Sequence, residues 1–139
     1  MVHALEEAAR VLKPNGLLVE LRPAPRHRRV WLVTSERSAL IGRMHEDLGP
    51  DHAADAALAR FMTRAQLRAR FRRRTVCNRY VDSLKEFREF LEEFEDCRHP
   101  TAPHRRLLER VERAWTVAQG RRRIMITGPL QMTVLQKLA

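Results

Sequence analysis

Residues 12–17 read Leu-Lys-Pro-Asn-Gly-Leu, and this short junction limits the fold more than any other stretch of the 139-residue chain. Before it, Val2, Leu5, Ala9 and Leu12 recur at spacings of three and four, which lines one side of a helix with apolar side chains. Pro14 cannot continue that helix, because it has no amide hydrogen and its ring clashes with the preceding turn. Asn15-Gly16 then supplies two residues that tolerate positive φ, as a tight turn behind a helix requires. Residues 16–21, Gly-Leu-Leu-Val-Glu-Leu, form a short apolar run of the kind a buried parallel strand shows, bounded by Pro23 and Pro25. Helix, turn and buried strand are expected in residues 1–22, and they point to the α/β class.

Downstream, the basic loop from Pro23 to Arg29 leads into Val30–Thr34, an additional short strand or extended segment. Residues 36–45 suit a helical turn or two, broken at Gly49-Pro50. Asp51 is placed to cap a helix holding Ala54, Ala57, Leu58 and Phe61, and Thr63 with Gln66 has capping-box spacing for another short helix through Phe71. Residues 75–81 (TVCNRYV) carry the β-branched and aromatic types of a strand. A second capping box, Ser83 with Glu86, precedes Leu84, Phe87, Leu91 and Phe94 at helical period, with Phe90 widening that face. The helix should stop near Cys97, before His99-Pro100. A further helix is expected over 104–119 and a last strand over 123–135, where Gly128-Pro129 implies an edge position or a bulge.

A chain of this size supports one ordinary domain spanning 1–139. With 44% hydrophobic and 32% charged residues, disorder throughout is excluded, and no apolar run approaches the roughly 20 residues a membrane-spanning helix needs. Glu6 and Glu7 stand where a secretory signal carries positive charge, so the expected location is cytoplasmic, with Cys77 and Cys97 as free thiols. Charge is the outlying property: 27 basic residues against 17 acidic give a net charge of +10. Three of the 27 are lysines, leaving 24 arginines, a bias that GC-rich coding produces and that surface solubility explains as readily as function.

The segment Leu5–Pro23, LEEAARVLKPNGLLVELRP, resembles part of the class I S-adenosylmethionine-dependent methyltransferase domain. In that family an E-A-x-R-V-L-K-P-G-G segment joins a helix to the fifth strand. Glu7, Ala8, Arg10, Val11, Leu12, Lys13, Pro14 and Gly16 match, with Asn15 at a usual glycine. The resemblance implies a doubly wound sheet of which this chain holds the C-terminal part: strands at about 17–22, 75–81 and 123–135, with 30–34 as an extra strand, and flanking helices. It implies that the last strand runs antiparallel between the other two, and that the cofactor would lie over a glycine-rich turn after a first strand. The five glycines nowhere form G-x-G, so S-adenosylmethionine is implied by kinship alone and this chain is not expected to bind it or catalyse unaided. The fifth strand would then present a bare edge, to be covered by a second copy in a dimer, by a partner chain, or by residues 30–34.

The candidate ligand residues are Glu20 and Arg22, at the C-terminal end of the first strand, where open α/β sheets bind ligands. Their bland alternative is a solvated strand end. The rival function is a basic nucleic-acid-binding or protein-interaction module, for which Arg68, Arg70, Arg72, Arg73 and Arg74 are the densest cluster, followed by Arg26, Arg28, Arg29 and Arg121–Arg123. Phe71 is the only aromatic within the main cluster, fewer than single-strand stacking platforms use. Cys97, His99 and His104 lack a fourth metal partner, so no metal is expected, and the other histidines sit near no nucleophile. Cys77, in a strand, reads as a small buried hydrophobe.

Overall fold

The computed structural model describes residues 2–95 and 102–138. The elements in chain order are α1 (Val2–Val11), β1 (Leu17–Pro23), β2 (Arg29–Thr34), β3 (Ser38–Arg43), α2 (Gly49–Arg64), β4 (Leu67–Val81), α3 (Leu84–Glu95), α4 (Ala102–Val117) and β5 (Arg122–Lys137). The mixed α/β content is as expected, with an open five-stranded antiparallel sheet. Each register, β1 with β5, β2 with β3 and β2 with β5, is antiparallel, so the doubly wound arrangement is not confirmed. The chain falls into two compact units. One comprises Met1–Arg26, Asp47–Thr75 and Pro129–Ala139, and the other His27–Glu46 and Val76–Gly128.

In the first unit, α1 ends before Pro14 and the chain turns through Asn15 at φ 63°. An added Cβ on Gly16 would lie 2.8 Å from Lys13 O and 2.8 Å from Leu12 Cγ, which is why a glycine follows the turn. Asn15 donates its N–H to Lys137 O (3.1 Å), and Lys137 N–H returns to Gly16 O (3.0 Å). The Lys137 ammonium donates to Ala9 O and Leu12 O at 2.9 Å each, satisfying carbonyls that the end of α1 leaves orphaned. Leu5 and Ala9 of α1, Leu58 and Phe61 of α2, Leu67 and Leu135 form the core.

β1 is an edge strand rather than a buried parallel one. Its only neighbour among the described strands is β5, with Leu17 opposite Gln136, Val19 opposite Val134 and Leu21 opposite Met132. The apolar run divides by alternation: Leu18, Glu20 and Arg22 turn inward, while Leu17, Val19 and Leu21 remain 59–60% exposed on the other face. β2 bonds β5 and β3, so residues 30–34 do not cover β1.

Three further expectations are corrected. Asp51 is not the cap of α2: the helix begins at Gly49, with Pro50 in its first turn where a missing N–H costs nothing, and Asp51 lies inside that turn facing the positive end of the helix dipole. Thr63 and Gln66 form no capping box, and no helix follows. Thr63 lies inside α2 and donates to Ala59 O (3.3 Å), Gln66 takes φ 51°, and Leu67 opens β4, where it is buried with Leu135. The 75–81 strand thus starts at Leu67. Residues 38–43 are a strand, because the Thr34 hydroxyl accepts from the N–H of Arg37 (3.2 Å) and its backbone N–H donates to Arg37 O (2.8 Å), closing a β2–β3 hairpin.

The second unit packs β2, β3 and the nearer parts of β4 and β5 with α3 and α4 around Val30, Met44, Phe87, Leu91, Leu107, Val111, Ile124 and Ile126. Half of the Ser83 box forms as expected, Ser83 Oγ accepting from Glu86 N–H (3.1 Å), but the Glu86 carboxylate accepts from Asp82 N–H (2.9 Å), one residue before the cap. Buried positions in β5 change phase across Gly128-Pro129, from Ile124 and Ile126 to Gln131, Thr133 and Leu135, as a bulge requires. No described helix is long and apolar enough to cross a membrane.

Candidate functional site

Glu20 and Arg22 are largely buried rather than forming a solvated strand end. Two residues apart on β1, they share its inward face, opposite Thr133 and Gln131. Arg22 Nη1 lies 2.6 Å from Glu20 Oε2, with side-chain exposures of 8% and 10%, and Arg22 Nη2 donates to Asp55 of α2. Burial weighs against the Arg22 charge, but the Glu20 carboxylate beside it and the hydrogen-bonded Asp55 outweigh it, so its pKa is raised. The Glu20–Arg22 contact is one of charge rather than of hydrogen-bond geometry, and Arg22 Nε and Thr133 Oγ1 are buried without a hydrogen-bond partner in the structure. The cluster holds two carboxylates to one guanidinium, with Glu20 and Arg22 largely buried and Asp55 of α2 at the partly exposed border. It is chemically suited to locking α2 on the sheet rather than to receiving a substrate.

The sequence lacks G-x-G, and the polar side chains at the C-terminal end of β1 are engaged with each other and Asp55.

The arginine cluster lies on β4, where no helix or loop carries it. Leu67 faces the core, so alternation assigns Arg68, Arg70, Arg72 and Arg74 to the opposite face, which also carries Leu17, Val19 and Leu21 of β1. Arg73 and Phe71 belong to the Leu67 phase. The five arginines are exposed and none forms an ion pair or hydrogen bond among the described residues. Sequence reasoning found the arginines but missed their ordering, although Leu67, Ala69 and Phe71 alternate with Arg68, Arg70 and Arg72 in plain view.

The other basic candidates are dispersed. Arg28 pairs with Glu46 (2.9 Å), Arg123 with Asp82 (2.5 Å), and the Arg122 and Arg123 guanidinia stack on Trp115 and Tyr80. In the second unit His104 Nε2 accepts from His45 N–H (3.0 Å), and the His27 and His45 rings stack with centroids 5.8 Å apart. Burial, then the nearby His45, hold the His104 pKa below its ordinary value of 6.5. Cys97 and His99 lie outside the described residues, and no group of three potential ligands occurs among the described ones. Cys77 is exposed, not buried, because β4 is an uncovered strand over most of its length. A cleft of about 380 Å³ between the β2–β3 hairpin and α4 mixes Leu32, Ile41 and Ala114 with Glu36 and Arg37 and assembles no catalytic grouping.

No protein-family model, curated protein or solved structure matches this chain.

Proposed function

We propose that this chain is a methyltransferase-like module that is catalytically silent by itself and acts through association, with the bare edge of β1 as its primary contact. One observation carries the reading: β1 has a hydrogen-bonded neighbour on one side only, in the described structure, although its apolar run leads one to expect an interior strand. An unpaired ladder of backbone donors and acceptors is a template for another strand. Pairing of two β1 strands across a two-fold axis satisfies both at once, and it needs no residue beyond those present. The kinship is supported by two further features. α1, the Pro14-Asn15-Gly16 turn and β1 follow one another as the resemblance implies, and β5 bonds both β1 and β4, as it implies for the last three strands. The missing G-x-G and the engagement of Glu20 with Arg22 support the reading that the chain is silent toward the cofactor.

Light scattering coupled to size exclusion at micromolar concentration is the direct test of association. A dimer that becomes monomeric when Val19→Pro removes a ladder donor is the expected result, and a monomer throughout overturns self-pairing. Calorimetric titration with S-adenosylmethionine should give no saturable heat. Binding by this chain alone would contradict the silent reading and leave the edge contact to be judged by sizing.

A further inference from the structure

We infer that the outward face of the first unit's sheet docks an amphipathic helix of a partner polypeptide, apolar on one side and carrying carboxylates along the flank that meets β4. The inference is separate from pairing at the β1 edge, since it uses the face of the sheet and not its ladder.

Across this face, β1 offers Leu17, Val19 and Leu21, each 59–60% exposed, and β5 offers Met132 and Val134 directly beside two of them. β4 offers Arg68, Arg70, Arg72 and Arg74, with no carboxylate partner among the described residues. Behind β1 and β5 the inner face is already covered: Leu5 and Ala9 of α1 and Leu58 and Phe61 of α2 pack there with Leu135, whereas Phe71 and Arg73 on the same phase of β4 are exposed. Sheets with apolar side chains on both faces are stable when both are layered, and helices are the usual second layer. Two apolar strands at about 4.8 Å spacing make a strip roughly 10 Å wide, matching the 10–12 Å diameter of a helix with its side chains. Arg68 to Arg74 spans about 20 Å, over which a helix makes nearly four turns. Alternate strand residues stand about 6.7 Å apart and successive helical turns about 5.4 Å, so a carboxylate on each turn stays within reach of one flexible guanidinium.

Nucleic acid suits this face less well. The strip is aliphatic, and Phe71, the only aromatic between Arg68 and Arg74, lies on the other phase of β4, so bases have no ring to stack on beside the arginines. A second copy would bring another chain of net charge +10 against the arginine row.

The test uses the full chain and three labelled peptides of one helical design, about 18 residues long, with leucines on one side and glutamate, glutamine or lysine along one flank. Fluorescence anisotropy should show the glutamate peptide binding about tenfold or more tighter than the glutamine one, with the advantage fading in salt. Arg70→Glu with Arg72→Glu should invert the order so that the lysine peptide binds best, and Val19→Ser with Leu21→Ser should weaken all three. Circular dichroism checks that each variant is folded. If the charge reversals do not fold, Arg70→Gln with Arg72→Gln must erase the glutamate advantage. Equal affinity for the three peptides, or a glutamate preference that survives the arginine substitutions, overturns the proposal. So does an oligothymidylate that binds more tightly than the glutamate peptide and is indifferent to Val19→Ser with Leu21→Ser, which would assign the face to nucleic acid.

Discussion

Arg22 shows how a residue's place can be legible in sequence while its surroundings are not. The end of an α/β strand is where ligands bind, yet here Arg22 is drawn inward between Glu20 and Asp55. Two carboxylates around one buried cation set the consequence of removing it. Arg22→Met leaves Glu20 enclosed without its counter-charge, and breaking a buried pair from one side costs about 3–5 kcal/mol. Urea denaturation should show a loss of that order at neutral pH. Adding Glu20→Gln should recover part of it, because the two changes share one interaction and cannot be additive. A change within about 0.5 kcal/mol for Arg22→Met would mean that the side chain is spare for ligand binding after all. Asn15 and Gly16, by contrast, were legible in role as well as place, since positive φ and lack of room for a Cβ are local demands that residue type alone meets.

At the scale of elements, legibility follows how local the deciding interaction is. α1, the turn and the Ser83 cap rest on contacts within a few residues, and they form where the spacing puts them. β4 depended on Leu67 finding Leu135 far along the chain, a contact that outweighs the helix signal of Thr63 and Gln66. The exposed strip of β1 was hidden because Leu18, an inward residue, sits between Leu17 and Val19 and makes an alternating strand look uniformly apolar. His104, an unremarkable histidine in sequence, was likewise given meaning only by the return of His45 to the N-terminal turn of α4. Its Nε2 must be unprotonated to accept the His45 N–H, and its pKa lies below the unfolded value near 6.5. The unfolded chain therefore takes up the proton first. Stability from this contact is complete above about pH 6.5 and drains as pH falls toward the lower folded value. Urea midpoints measured from pH 7.5 to 5 should fall, and His104→Gln, which keeps an acceptor without titrating, should flatten that part of the slope.

For the whole molecule, the net charge of +10 sets the sign by which salt acts on each association. Two copies meeting at β1 repel each other as bodies even if their strands pair well. Raising salt from about 0.02 to 0.3 M shortens the Debye length from roughly 20 to 6 Å and should strengthen self-association. An acidic helix on the arginine face is attracted, so the same change should weaken it. Sedimentation of the chain alone and anisotropy with the glutamate peptide, over one salt series, should give slopes of opposite sign. Slopes of the same sign would mean that a single surface serves both contacts: falling affinity in both cases would place the arginine row inside the copy-to-copy interface, opposite acidic groups such as Glu92 and Glu93 of α3, and the β1 edge would lose its claim as the primary contact.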